Sequence, residues 1–272
     1  MPTDNERRHG TSDDIGADEW SDTMLRTVKP SRYETIASLF GPSYPNLAFV
    51  HAAFEKKIPA KIWAQHEGDD ASACLITTRS RFCFVAGAIT SELMDEVCAL
   101  VRGRPPITLI YPAGHDVGLR RGFRKAERVQ FSRHHDSNGT ERAPRAEFDL
   151  HRVDARLFEK LNWRDMVLSI FGSAANYLRN GYGFCLARDG HVAAEGHGVV
   201  GGGLVELGGF THPKYRHRNL YTAMSAQVIG YGAELGLRPV LSCQADNGAS
   251  VAVAKRIGLT EDFRYEVALL GS

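Results

Sequence analysis

The 272 residues carry almost no surplus of either charge: 33 basic side chains against 32 acidic ones leave a formal net charge of +1. Without a cationic excess, wholesale binding of nucleic acid is not expected, and any basic patch would have to be local. Cysteine is scarce as well. Cys74, Cys83, Cys98, Cys185 and Cys243 are odd in number, scattered and free of any Cys-x-x-Cys pair. That pattern argues against a disulfide framework or a thiolate zinc site and for a reducing compartment. No apolar run reaches the roughly 20 residues that cross a bilayer, and the N-terminal stretch is charged where a signal peptide would be apolar. The expectation is a cytoplasmic protein without a membrane partner. What the chain does have is 43% hydrophobic residues, enough for a substantial core, in a length that suits one large domain or two ordinary ones.

Residues 1–22 are acidic and polar and are expected to form a disordered tail. Globular patterning starts near Met24. Segments 33–40 and 47–54 read as helices, 61–66 and 72–77 as strands about the turn Glu67-Gly68-Asp69-Asp70, and 82–86 as a third strand. Segment 90–101 has the apolar spacing of a helix, and 107–111 is a short buried strand. Together these predict an N-terminal α/β domain over 23–131. Arg120, Arg121, Arg124, Lys125 and Arg128 cluster near its end and read as a solvated face. Segment 132–146 has the polarity of a linker. Its adjacent His134 and His135 would point to opposite sides of an extended chain, with no further ligand spacing, so no metal site is expected.

A second unit over 147–272 opens with an edge strand at 148–150 and helices at 155–161 and 166–178, the latter stopped by Asn180-Gly181. Strands 182–187 and 192–199 flank Asp189-Gly190, a strong hairpin signal. After the flexible turn Gly201-Gly202-Gly203 comes the apolar strand 204–211, which carries one acid, Glu206. The turn Pro213-Lys214-Tyr215-Arg216 then feeds a helix whose apolar stripe is Leu220, Met224, Val228, Tyr231 and Leu235, with Gly236 at its end. A strand entering a helix through a cationic turn makes an anion site, because unpaired N–H groups and the helix dipole converge there. Strand 240–243, a helix capped by Asp246 or Asn247, and strand 265–270 complete the chain.

That order resembles the GNAT acyltransferase superfamily over roughly 148–270. The segments carrying the resemblance are Gly181-Tyr182-Gly183-Phe184-Cys185-Leu186, Glu206-Leu207-Gly208-Gly209-Phe210-Thr211, Pro213-Lys214-Tyr215-Arg216, and Asn247-Gly248-Ala249-Ser250 followed by Ala254-Lys255-Arg256-Ile257-Gly258-Leu259. The resemblance implies a mixed α/β fold with a mostly antiparallel, twisted sheet flanked by helices. The whole chain looks like a two-domain bacterial branch in which a smaller α/β domain comes first, and the resemblance leaves open that this domain is itself GNAT-like. It further implies that two strands splay apart and that the arm of acetyl-CoA pairs along Gly209, Phe210 and Thr211, with Asn247 beside it. The pyrophosphate would meet Arg216, His217, Arg218, Asn219, Leu220 and Tyr221. Glu206 stands where the family commonly places its general base, and burial there would raise its pKa into a useful range.

Three residues depart from the family pattern. Asn219 replaces a Gly, tolerably, since Asn adopts left-handed conformations. Tyr221 replaces a small residue, so its ring must either join the core stripe or fill the phosphate cradle. Ala254 replaces a Tyr that serves as general acid in many relatives, leaving Tyr265, Ser250 or water open for that role. His197 and His212 read as structural, and neither Ser242 nor Cys243 has a His–Asp partner pattern for covalent catalysis. The leading expectation is acyl-CoA-dependent N-acetylation of a small-molecule amine by direct attack, with acetyl-CoA as co-substrate and no metal. The alternatives are the same fold using aminoacyl-tRNA or another carrier, or a degenerate module that binds without catalysing.

Overall fold

A computed structural model describes residues 24–68, 70–104, 106–115, 117, 123–133 and 147–270. The expected tail and nearly all of the expected linker, with His134, His135, Arg120 and Arg121, lie outside the described residues. The strands are β1 (Arg26–Thr27), β2 (Ala60–Glu67), β3 (Asp70–Thr78), β4 (Phe82–Gly87), β5 (Ile107–Ile110), β6 (Phe123–Ser132), β7 (Asp149–Arg152), β8 (Gly181–Arg188), β9 (His191–Gly201), β10 (Leu204–Thr211), β11 (Arg238–Gln244) and β12 (Thr260–Leu270). The helices are α1 (Tyr33–Ala37), α2 (Leu47–Phe54), α3 (Ser91–Val101), α4 (Ala155–Phe158), α5 (Arg164–Phe171), α6 (Ala174–Asn180), α7 (Leu220–Glu234) and α8 (Gly248–Arg256).

The twelve strands of the described residues join one sheet in the order β1-β2-β3-β4-β5-β12-β6-β11-β10-β9-β8-β7. The order is unchanged when each strand is exchanged for the one six places away in the chain, so the two halves share one topology. Each half has one parallel pair, β4/β5 joined through α3 and β10/β11 joined through α7; the other pairs are antiparallel. The sixth strands are exchanged: β6 lies between β11 and β12, and β12 lies between β5 and β6. The division at 132–146 is thus a division of the chain and not of the sheet.

Both faces are covered, as a mixed sheet with crossover helices requires. On one face α1, α2 and α4–α6 close over a core that includes Ile36, Phe49, Phe84, Phe158, Phe171 and Val267, drawn from both halves. On the other face α3 covers Leu75, Val85 and Leu109, while α7 and α8 cover Val129, Val205 and Leu241. The hairpin signals act as expected, with Asp189 and Gly190 both at positive φ between Arg188 and His191.

Several expectations need correction. The single helix over 166–178 is two, because Gly172 takes a positive φ of 80° and Ser173 caps α6 through the Asn176 N–H. Neither Asn180 nor Gly181 is left-handed; α6 runs straight into β8. Leu235 leaves the α7 stripe and is 54% exposed. Strand β6 was hidden by its charges. Its alternation places Val129 and Phe131 in one core layer and Arg128 and Gln130, both buried, on the opposite face. Arg128 is therefore no part of a solvated patch, whereas Arg124 is exposed and Lys125 pairs with Glu266 at 3.0 Å.

In each half the parallel ladder lasts three residue pairs. The first half's ladder ends at Phe84 and Ile110, where the Tyr44 hydroxyl lies 2.9 Å from the Val85 carbonyl and 2.8 Å from the Ile110 carbonyl. The hydroxyl staples main chain that the parting strands leave unpaired. Tyr44→Phe would leave buried carbonyls without a donor, so unfolding in urea should show a loss of about 1–3 kcal/mol; an unchanged midpoint would mean that the hydroxyl contributes nothing.

Candidate active site

In the second half, Leu204, Val205 and Glu206 pair with Arg238, Pro239 and Val240, and there the β10/β11 ladder stops. Beyond it β10 follows β9 as far as Thr211 opposite Ala194, while β11 follows β6 as far as Gln244 opposite Arg128. The two strands splay, and Glu206 stands at the apex. A cavity of ≈ 230 Å³ runs through the gap. Its lining comes from α2 and α5 on one face of the sheet and from α7 and the start of α8 on the other, so the opening passes from face to face.

Glu206 is 5% exposed. Its Oε1 accepts a 3.2 Å hydrogen bond from the Asn46 amide, and its Oε2 is buried with no hydrogen-bond partner among the described residues. Burial raises its pKa above the ordinary carboxylate value, and Ser242, Arg128 and Asn46 pull less strongly the other way. Asn46 adopts a left-handed conformation at the start of α2, with φ 56°. Its N–H donates to Gln130 Oε1 at 3.0 Å, and its Oδ1 accepts from the Tyr265 hydroxyl at 2.7 Å. Tyr265 in turn accepts from Arg128 Nε at 3.0 Å, and Arg128 Nη2 donates to the Ser242 carbonyl at 3.0 Å. The carboxylate is thus positioned by a buried chain of polar groups from α2, β6, β11 and β12. Tyr265 is committed to that chain, which takes it out of contention as a general acid.

The loop before α7 takes an unusual backbone. His217 and Asn219 have φ of 62° and 58°, so Asn219 stands in the left-handed conformation expected for the residue replacing Gly. No side chain caps α7; the Asn219 Oδ1 instead accepts from Arg256 at 3.0 Å. The first-turn N–H groups are therefore left for an anion. Arg216 and His217 are exposed beside them, and Arg218 is 3.5 Å from Glu147. Leu220 is buried in the core.

Tyr221 takes neither of the two expected positions. Its ring lies on Gly209 of β10, where a Cβ would collide with it and with the Glu195 carbonyl. Ser225, one turn further along α7, is near enough to the hydroxyl to oppose in part the effect of burial on it. The ring therefore lines the wedge and leaves the helix N-terminus open. Burial pushes its pKa up to about 12, so it is a neutral donor at physiological pH. Phe210 stacks at 5.9 Å on Trp163, and Thr211 ends the strand. Asn247 lines the cavity and caps α8 through the Ser250 N–H at 3.2 Å. Ala254 is buried and offers no hydroxyl; among the described residues Tyr221, Ser242 and Ser250 bring hydroxyls to the lining.

A second acid in an apolar strand, Glu195 of β9, escaped sequence reasoning. It is fully buried, but both oxygens are engaged, by the Trp163 N–H at 2.6 Å and the Asn162 N–H at 2.9 Å. A satisfied carboxylate anchors the loop before α5; the carboxylate with a free oxygen faces the cavity. His197, hydrogen-bonded to Tyr177 at 2.8 Å, lines the cavity, and His212 accepts from the Lys214 N–H at the turn Pro213–Tyr215. Burial keeps Cys243 a thiol, with Arg128 opposing and Glu206 and Asp246 adding to the effect. Sequence reasoning also missed Asn46, Arg81 and Gln130, and misplaced Arg128. Only the Val129-Gln130-Phe131 alternation could have signalled a strand there. Among the described residues no group of three or more His, Cys, Asp or Glu is arranged to hold a metal, and no helix is long and apolar enough to cross a membrane.

Comparison with known proteins comes to the same fold. The family model of GNAT acetyltransferases matches residues 39–268. A Bacillus subtilis protein named as an uncharacterized N-acetyltransferase, YdfB, is 21% identical over 265 residues, which cover 92% of this chain and all of the relative. A GCN5-related N-acetyltransferase-like protein from Streptococcus suis superposes with a TM-score of 0.70 at 20% identity, over 88% of this chain and 98% of that one. A tandem GNAT protein from the clavulanic acid biosynthesis pathway gives 0.61 at 12% identity, over 90% and 97%.

The environment of Glu206 makes its cost to stability depend on pH. Above its raised pKa the folded protein holds a desolvated carboxylate; below the ordinary carboxylate range both folded and unfolded states are protonated. Stability linked to this group is therefore lost as pH rises through the raised value. Glu206→Gln removes that dependence, so its melting temperature relative to the wild type should climb as pH rises from the ordinary carboxylate range, about 4, through the raised value. A difference that stays flat across the range would show that the carboxylate is not desolvated.

Proposed function

The chain belongs to the GNAT acetyltransferase family, and from that premise we propose that it transfers an acetyl group from acetyl-CoA to the amine of a small molecule, by direct attack in a ternary complex. The observation that carries the reading is the splay of β10 from β11 with an incompletely satisfied glutamate at its apex. The unpaired main chain around Gly209, Phe210 and Thr211, with Asn247 across the gap, would hold the pantetheine arm as an added strand. Arg216, His217, Arg218, Asn219, Leu220 and Tyr221 would hold the pyrophosphate against the uncapped N-terminus of α7. The fit is supported by the direction of the Tyr221 ring, which leaves that terminus clear.

Acetyl-CoA supplies an activated acetyl thioester. The chain supplies position and proton transfer. Glu206, with its pKa raised by burial, takes the proton from the acceptor's ammonium directly or through water, leaving a nucleophilic amine at the apex. A main-chain N–H of the splayed segment near Phe210 would stabilise negative charge on the acetyl oxygen. Because the cavity is lined from both faces of the sheet, donor and acceptor can approach from opposite sides and meet at Glu206.

Calorimetric titration with acetyl-CoA and CoA is the direct test, and saturable binding to the wild-type protein is expected. Absence of heat at millimolar nucleotide would sink the proposal. Glu206→Gln should lower kcat by about 10²- to 10⁴-fold and leave acetyl-CoA affinity nearly unchanged; equal turnover at every pH would remove Glu206 from its role. Tyr221→Gly should alter acetyl-CoA affinity less than Asn219→Pro, which must distort the left-handed residue at the head of α7.

A further inference from the structure

The acceptor side of the cavity carries a charge pattern that transfer to a simple amine does not need. Arg81 and Arg128 both line it, and both guanidinium carbons lie over the same Phe82 ring, at 5.4 and 5.7 Å from its centroid. Arg128 is 4% exposed. Its polar contacts, to the Tyr265 hydroxyl and the Ser242 carbonyl, are neutral. Arg81 is exposed as a residue, and its guanidinium lies over Phe82. Among the described residues neither arginine has a carboxylate within ion-pair distance. Glu206 is the one acidic residue in the lining, and it is positioned by Asn46 instead.

Two cations held together with no anion between them are a cost to the folded protein unless a ligand supplies one. Their position says which ligand. The same lining places Phe49, Met166, Ile170 and Phe171 around an apolar space on the α2 and α5 face, away from the helix that would hold pyrophosphate. Arg81, Arg128 and Glu206 line the same cavity, and Arg128 is joined to Glu206 through Tyr265 and Asn46, so one small molecule can bring an anion to the arginines and a nitrogen to Glu206.

We propose, resting on the acetyl-transfer reading above, that the acceptor is an amino carboxylate with an apolar side chain, its carboxylate held by Arg81 and Arg128 and its amine presented to Glu206. The arginines bind and orient this substrate; the apolar side chain fills the space between Phe49 and Phe171. The reaction forms the N–acyl bond as the thioester bond breaks, and yields an N-acetylamino acid, free CoA and a proton passed through Glu206. Planar guanidinium groups suit a carboxylate better than lysines would, because each can donate two parallel hydrogen bonds.

The test uses full-length protein and product analogues, so it does not depend on turnover. N-acetylphenylalanine, N-acetylleucine and N-acetylmethionine are titrated calorimetrically against the matched amides lacking the carboxylate, N-acetylphenethylamine, N-acetylisopentylamine and N-acetyl-3-methylthiopropylamine. At least one carboxylate should bind about 10- to 100-fold more tightly than its partner. Arg81→Gln should abolish that preference, and Arg81→Lys should restore only part of it. Equal affinity within every pair, or no binding of any carboxylate at millimolar concentration, would overturn the inference. Acetyl-CoA is titrated into the same two proteins. If acetyl-CoA binds and the carboxylate preference is missing, the acceptor assignment alone fails; if wild-type protein does not bind acetyl-CoA, the acetyl-transfer reading fails with it. A large loss of acetyl-CoA affinity in Arg81→Gln would assign the arginines to the donor, which also overturns the inference.

Discussion

Everything at the site follows from one restriction on hydrogen bonding, that β10 and β11 share a ladder for only three pairs and then part. A parallel pair within a covered sheet would ordinarily continue, because unpaired buried N–H and C=O groups are costly. The parting here is maintained from both sides. β9 holds β10 through Thr211, and β6 holds β11 through Gln244, so neither strand can close the gap without breaking a longer ladder. The result is a permanent opening through the sheet, with main-chain groups on its walls and a single carboxylate where the walls meet.

The same topology occurs in the first half, and the contrast shows what the opening requires. There the last pair is Phe84 with Ile110, and the Tyr44 hydroxyl spans the carbonyls that the parting leaves free. An apolar ring stands where the second half has Glu206, and a side-chain staple lies where the second half has a cavity. The first half keeps the fold but has closed its own wedge. Its other residues have been turned toward the second wedge: Asn46 positions Glu206, Gln130 positions Asn46, and Arg128 anchors both through Tyr265. The exchange of the sixth strands makes this possible, because β6 brings first-half side chains directly against β11.

The parts of this arrangement that depend on local chemistry were legible in the sequence. The strand with one acid, the left-handed Asn219, the Asp189-Gly190 hairpin and the Asn247 cap are each set by a few neighbouring residues, and each is present. Features that depend on distant partners were not legible. Strand β6 looked like a basic, solvated stretch because its charges are read one by one, whereas the fold gives both of its faces cover from opposite layers. The Tyr221 ring could not be placed without knowing that Gly209 lies beneath it. Glu195 and Glu206 are alike on paper, each the lone acid in an apolar run; the 162–163 loop folding onto Glu195 makes one a structural anchor, while the other keeps an oxygen with no hydrogen-bond partner among the described residues.

This difference in satisfaction also explains why a carboxylate can be buried at the apex at all. Fully unpaired, it would be too costly; fully paired, it would be held ionised and inert, as the many hydrogen bonds of a structural carboxylate would ensure. One neutral donor on Oε1, an Oε2 with no hydrogen-bond partner among the described residues, and Arg128 and Ser242 nearby give an intermediate case, in which burial raises the pKa and these groups oppose it. Each element of that balance comes from a residue remote in sequence. A change in Asn46 acts on Glu206 directly, and one in Tyr265 or Arg128 acts on it through Asn46, so the two halves of the sheet form one chemical unit even though the chain writes them one after the other.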